Sequence, residues 1–130
     1  MTTTQTTMHI TDIRTVAVPV TDQDRALEFY RDGLGLQTRI DMAYGEDQRW
    51  LEVVPAGATT SIALVRAGET APAGIDTGIR LTTEDASADH GAMRAKGVDV
   101  DAEILQYPVP MFTLRDPDRN VLYVVQRQDG

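Results

Sequence analysis

Val18-Pro-Val-Thr-Asp-Gln-Asp-Arg-Ala-Leu-Glu-Phe-Tyr-Arg-Asp-Gly-Leu-Gly-Leu36 is the stretch of this sequence that decides the fold. Valine alternates with other residues up to position 20, which predicts a strand with one apolar face. Thr21-Asp22-Gln23-Asp24 then predicts a helix start, with Thr21 as the cap and Asp24 as the acidic member of a capping box. Apolar residues recur at helical spacing until Gly33, where the helix is expected to end. The stretch therefore predicts a strand followed by a short amphipathic helix.

The same order of elements occurs twice. Three strand-like runs follow the first helix, at residues 36–42, 49–54 and 60–65. From Thr77 a strand alternates again, and residues 82–85 predict a second helix start. That helix is expected to end at Gly97, before strands at residues 98–105, 111–115 and 121–126. The separation of Val18 from its counterpart Ile79 is too long for a solenoid repeat and indicates a duplicated half-domain.

These elements predict an α+β fold of two βαβββ modules that form a cup-shaped mixed sheet. We expect a flexible tail at residues 1–12 and one domain at 13–127, with module one at 13–66, a hinge at 67–76 and module two at 77–127. Each sheet has one face under a helix, and the two remaining faces would enclose a cavity. A ferredoxin-like sandwich, in which those faces form core, is the alternative.

Composition excludes several classes of function. The chain has 130 residues, which suits one domain, and its lack of cysteine excludes a disulfide framework, a thiolate metal site and a thiol nucleophile. Its net charge of −8 disfavours nucleic acid and anionic lipid as partners. Charges interrupt every apolar run before it reaches the length of about 20 residues that crosses a bilayer. We therefore expect a cytoplasmic protein that binds neither membranes nor nucleic acid.

A second stretch, Arg115-Asp-Pro-Asp-Arg-Asn-Val-Leu-Tyr-Val-Val125, lies near the other end. Together the two stretches resemble the vicinal-oxygen-chelate superfamily, which includes glyoxalase I, extradiol dioxygenases, methylmalonyl-CoA epimerase, and bleomycin- and fosfomycin-resistance proteins. The resemblance covers residues 13–126 and implies the fold, but it does not specify a reaction. Where relatives commonly have glycine this sequence has Arg119, so Asn120 is expected to supply any left-handed residue of the turn.

The resemblance also implies four positions for the ligands of a divalent metal. Here these positions are Thr15, Ala63, Gly78 and Tyr123, whereas such a metal needs imidazole or carboxylate at most of them. We therefore predict no metal and no other cofactor. Of the two histidines, His9 lies in the expected tail and His90 on the second helix, where a structural role is expected.

Strand parity predicts which side chains face the cup. The aliphatic residues of four strands fall on the helix side, which leaves residues of mixed polarity on the other. The expected ligand-binding residues are Thr15, Trp50, Glu52, Ala63, Arg80, Phe112 and Tyr123. Arg80 requires an anionic partner, which could be either Glu52 or an anion on a ligand.

Three functions remain open. The first is a binding protein for a small organic molecule, such as an aromatic compound or an antibiotic. The second is a lyase, isomerase or dioxygenase-like enzyme acting on a small carbonyl or aromatic substrate, with Glu52, Arg80 or Tyr123 as catalytic residues. A perturbed Glu52 pKa beside an open pocket would favour it. The third is an interaction protein whose cup is filled by its own Trp50 and Tyr123. The resemblance further implies a homodimer, in some members with strands of both chains in each cup.

Overall fold

A computed structural model describes residues 7–128. Its helices are α1, at Gln23–Glu28 with a continuing π-helical turn at Phe29–Gly33, and α2, at Ala86–Ala95. The strands are β1 Thr15–Val20, β2 Gln37–Ala43, β3 Arg49–Val54, β4 Ser61–Arg66, β5 Asp76–Thr83, β6 Asp99–Val100, β7 Met111–Arg115 and β8 Val121–Gln126. This order confirms the two predicted βαβββ modules.

The strands form two four-stranded mixed sheets, one for each module. Their orders are β1-β4-β3-β2 and β5-β8-β7-β6. In each sheet the first strand of the module runs parallel to the last, and the other neighbours are antiparallel. Within residues 7–128, no strand of one module pairs with a strand of the other. The predicted fold class is confirmed, with the residues of the expected cup divided between two sheets.

The start of α1 differs from the prediction in its cap. Asp22 caps the helix, because its extended backbone lets its carboxylate accept from the Arg25 backbone N–H at 3.1 Å. Thr21 instead donates its hydroxyl to Asp118, at the far end of the chain. Asp24 does not close a capping box and pairs with Arg49 at 2.7 Å. Because Asp22 caps the helix, the Thr21 side chain can form its hydrogen bond to Asp118 and so connect the two modules.

One core lies on the helix sides of both sheets. It combines aliphatic residues of the strands with Tyr30 and Met93 from the helices, and it includes members of both modules. Tyr30 is fully buried and donates its hydroxyl to Asp116, in the turn after β7, at 2.8 Å. Asn120 donates to the Pro19 carbonyl oxygen at 2.8 Å. These contacts join module one to the β7–β8 turn of module two.

Two local predictions for module two are wrong. The strand expected at residues 98–105 is reduced to the two residues of β6 and an isolated bridge between Leu105 and Met111. Pro108 and Pro110, which lie between Leu105 and β7, have no N–H to donate and do not extend the pairing beyond this bridge. In the β7–β8 turn, Arg119 itself takes the left-handed conformation, with a φ of 66°. Asn120 does not supply the left-handed residue of the turn, and its side chain forms the hydrogen bond to Pro19 that connects the modules.

The segments outside the helices and strands carry the remaining predictions on domain organisation. The expected flexible tail lies partly outside the described residues, and residues 7–14 are exposed with no regular structure. Residues 67–75, in the expected hinge, connect β4 to β5. Among the described residues, no helix is long and apolar enough to cross a membrane.

Candidate functional site

The face of the module-one sheet opposite the helix carries most of the predicted ligand-binding residues. We call it the module-one face and define it by Thr15, Ala17, Trp50, Glu52 and Ala63. Register places Ala17 and Glu52 on either side of Ala63, because β4 lies between β1 and β3. Ala17 is exposed, while Thr15 and Trp50 are half-buried. Four of the predicted site residues are thus together on one surface.

Glu52 is the best-connected polar residue of this face. Its side chain is only 2% exposed, although it lies on the side away from the main core. One carboxylate oxygen accepts the Ser61 hydroxyl at 2.6 Å, and the other accepts the Trp50 indole N–H at 2.6 Å. Ser61 in turn lies 3.1 Å from the Thr15 hydroxyl. Glu52 therefore fixes the orientation of the half-buried Trp50 ring.

The electrostatics of Glu52 stabilise its charged form. Burial raises its pKa, but the hydrogen bonds from Ser61 and Trp50 and the charges of Arg14 and Arg39 outweigh burial and hold the pKa below its ordinary value. Guanidinium nitrogens of Arg14 and Arg39 lie 3.7 Å and 4.0 Å from the same carboxylate oxygen. A general base acting near neutral pH needs a raised pKa, so Glu52 is not tuned for that role.

An apolar depression adjoins this polar cluster. Met42, Tyr44 and Trp50 line a depression of about 420 Å³ where β2 and β3 approach their connecting turn. Met42 and Tyr44 are 56% and 51% exposed, which is high for large apolar side chains. Register pairs Met42 directly with Trp50 across the two strands. The arrangement offers a flat, adaptable surface to an aromatic ring.

The corresponding face of module two is built around Tyr123. Its hydroxyl donates to Asp76 at 2.7 Å, and the Arg80 guanidinium carbon lies 4.7 Å from the centre of its ring. This separation is within the range of a cation–π contact. Arg80 also donates to the Gly78 carbonyl oxygen at 2.8 Å and is exposed. The hydrogen bond to Asp76 raises the pKa of Tyr123, which moves this group away from acid–base work at neutral pH.

One chain does not bring all of the predicted site residues together. The expected pair between Arg80 and Glu52 does not form, because the cations of Glu52 are Arg14 and Arg39 in its own module. Phe112 lies outside both faces: it is 1% exposed in the core and packs edge-on against His90 at 5.0 Å. The structural role expected of His90 is confirmed by this contact and by its 2.7 Å hydrogen bond to the Asp101 carbonyl oxygen.

The four positions at which the resemblance implies metal ligands do not fit a divalent metal. The Thr15 hydroxyl donates a hydrogen bond to the Ser61 carbonyl oxygen at 3.1 Å, and the Tyr123 hydroxyl donates one to the Asp76 carboxylate. Alanine and glycine at the other two positions have no donor side chain. Within residues 7–128 no three His, Asp or Glu side chains are grouped as metal ligands.

Sequence reasoning missed Arg14, Arg39, Met42 and Tyr44 as members of this surface. A glutamate within the strand Arg-Trp-Leu-Glu-Val-Val was a usable signal, since a buried carboxylate requires partners. The partners themselves were harder to find. Arg39 reaches Glu52 through a local irregularity of β2 that parity counting does not anticipate.

The arrangement of two four-stranded modules agrees with comparisons to known proteins. The family described as Glyoxalase/Bleomycin resistance protein/Dioxygenase superfamily matches residues 12–124. This chain belongs to that superfamily. The match confirms the resemblance drawn from the sequence. It covers most of both modules and leaves the reaction or ligand unspecified.

Three known proteins illustrate the similarity. The uncharacterized protein YetH of Bacillus subtilis (strain 168) is 32% identical over 118 residues, covering 86% of this chain and 95% of YetH. The crystal structure of TnmS3, an antibiotic binding protein from Streptomyces sp. CB03234, has a TM-score of 0.84 at 35% identity, covering 94% of this chain and 100% of that one. A glyoxalase/bleomycin resistance protein from the same organism has a TM-score of 0.75 at 36% identity, covering 86% and 97%.

Proposed function

We propose that this protein binds a small aromatic organic molecule, with antibiotics as the leading class, on its module-one face and without a divalent metal. The observation that carries the proposal is Trp50, a half-buried indole fixed by Glu52 at 2.6 Å beside an exposed apolar depression. A ring held in place before binding loses little conformational freedom when a ligand stacks on it. Similarity to an antibiotic binding protein over 94% of the chain supports the same class of ligand.

The geometry gives less support to an enzyme. Of the three candidate catalytic residues, Glu52 has a lowered pKa and Tyr123 a raised pKa, so neither is shifted toward neutrality. Arg80 packs on Tyr123 and belongs to the other module. A cup filled by the protein's own Trp50 and Tyr123 is also disfavoured, because Trp50 belongs to the first sheet and Tyr123 to the second.

We further propose that the functional unit is a homodimer in which the module-one face of one chain is opposed by the Arg80–Tyr123 face of its partner. In a single chain, the hydrogen-bond and ion-pair partners of Glu52 come from residues 14–61, and the partners of Tyr123 are Asp76 and Arg80 of β5. A second copy would supply the missing wall. Light scattering after size exclusion should give about twice the 14.3 kDa of one chain, and a mass of one chain would contradict this assembly.

Binding can be tested directly through Trp50, which is the only tryptophan of the chain. Titration with bleomycin and a panel of planar aromatic antibiotics should give saturable quenching of its fluorescence by at least one compound. Calorimetry should then show that Trp50→Ala lowers the affinity for that compound by about tenfold or more. Trp50→Phe should retain most of the affinity, because an aromatic ring remains. Affinity that is unchanged in Trp50→Ala would refute the assignment of this face.

A further inference from the structure

Strand β2 contains a β-bulge at Arg39. The register passes from Thr38 opposite Val53 to Ile40 opposite Glu52, so Arg39 is the extra residue. Bulges of this kind change the direction of a side chain at functional sites. Here Nε of Arg39 comes to 4.0 Å from Glu52, and Nη1 donates to the Thr59 carbonyl oxygen at 2.6 Å. The bulge thus places the Arg39 guanidinium, held by its hydrogen bond to Thr59, at the module-one face.

Arg14 adds a second cation from the residue directly before β1. Its guanidinium lies 3.7 Å from the Glu52 carboxylate, which is too long for a hydrogen bond. The side chain is 56% exposed, and among residues 7–128 no acceptor is hydrogen-bonded to its guanidinium. The donors of Arg14 are therefore available to a ligand.

The cluster carries more positive than negative charge. Two arginines face a single carboxylate, and both oxygens of that carboxylate already accept hydrogen bonds, from Ser61 and Trp50. Among the described residues, one positive charge is therefore left without a counter-charge beside an aromatic ring, in a chain whose net charge is −8. A partly desolvated arginine binds carboxylates and other oxyanions through charge-assisted hydrogen bonds.

We propose that the module-one face selects aromatic molecules bearing an anionic group, a carboxylate or a phenolate, with Arg14 as the specificity-determining residue. Trp50 stacks on the ring, Arg14 binds the anion, and Arg39 adds to the positive potential. The distances suit one ligand, because Trp50 and Arg14 approach opposite oxygens of the same Glu52 carboxylate. This inference rests on the proposed function and narrows its ligand class.

The test compares two probes of the same size, 2-naphthoate and its neutral amide 2-naphthamide, by calorimetry on the full chain. We expect naphthoate to bind about tenfold more tightly at low salt, with the difference shrinking as salt screens the charge. Arg14→Gln should lower the affinity for naphthoate about fivefold to tenfold and leave the affinity for naphthamide unchanged. Arg39→Gln should also lower the affinity for naphthoate. Arg94→Gln, the same loss of charge on an exposed position of α2, should leave both affinities unchanged.

The outcomes separate this inference from the proposed function. Equal binding of the two probes, or loss of naphthoate affinity in Arg94→Gln as large as in Arg14→Gln, would refute the anionic subsite and leave aromatic binding intact. If neither probe binds while an antibiotic still quenches Trp50, the subsite is again refuted and the function stands. If no compound of either set binds, both proposals are refuted.

Discussion

Replacing Glu52 with glutamine tests whether this carboxylate holds the module-one face together. The carboxylate accepts hydrogen bonds from both Ser61 and Trp50 at 2.6 Å while only 2% exposed. Glutamine keeps one acceptor oxygen and presents an N–H₂ group to the other donor. A lost hydrogen bond to a charged group, with a buried donor left unpaired, costs about 2 to 3 kcal/mol.

The assay is urea unfolding followed by circular dichroism, with Glu103→Gln, at an exposed position, as the matched control. We expect Glu52→Gln to lower the free energy of unfolding by about 2 to 3 kcal/mol and the control to change it by less than about 0.5 kcal/mol. Acrylamide should also quench Trp50 more strongly in Glu52→Gln, because the indole loses its anchor. A loss below about 0.5 kcal/mol with unchanged quenching would refute the reasoning.

Three further predictions concern the core, pH and metals. Tyr30→Phe removes a buried hydrogen bond to Asp116 and should lower the free energy of unfolding by about 1.5 to 3 kcal/mol in the same urea assay; no change would show that the modules do not depend on it. Because the folded pKa of Glu52 lies below its ordinary 4.5, its charged form stabilises the fold above that pH and this contribution is lost on acidification. The stabilities of wild type and Glu52→Gln should therefore converge as the pH falls from about 4.5, and a constant gap in the pH series would contradict the shift. After a challenge with nickel, zinc, iron and manganese followed by dialysis, plasma mass spectrometry should find far less than one ion per chain, and one ion per chain would overturn the reading of the four positions.

The module architecture was predictable because it is encoded in local, repeated signals. Alternating aliphatic residues before an acidic helix start occur in both halves, and strand ends such as those of β3 and β8 follow the sequence pattern closely. Errors arose where a local rule had two solutions. Thr21 and Asp22 can both cap a helix, and only the tertiary contact of Thr21 with Asp118 determines which residue does so.

The candidate site was predictable only in part. Parity placed Thr15 and Ala63 correctly on the face away from the helix, since side chains alternate along a regular strand. Parity did not predict Arg39, whose direction depends on a bulge, nor the separation of Glu52 from Arg80. That separation depends on how the two modules pack, through contacts between residues far apart in the chain such as Tyr30 and Asp116. A periodic pattern within one strand carries no information on such packing.

The most direct test of the account is a map of the bound ligand by NMR on ¹⁵N-labelled protein with the tightest compound of the antibiotic panel. The account predicts the largest shifts at the Trp50 indole N–H and at the backbone of Glu52 and Ala63, on the module-one face. A competing surface is the groove of about 600 Å³ whose lining includes Phe29 and Lys96, between the modules. Shifts confined to that groove, with the Trp50 signal unmoved, would contradict the central claim.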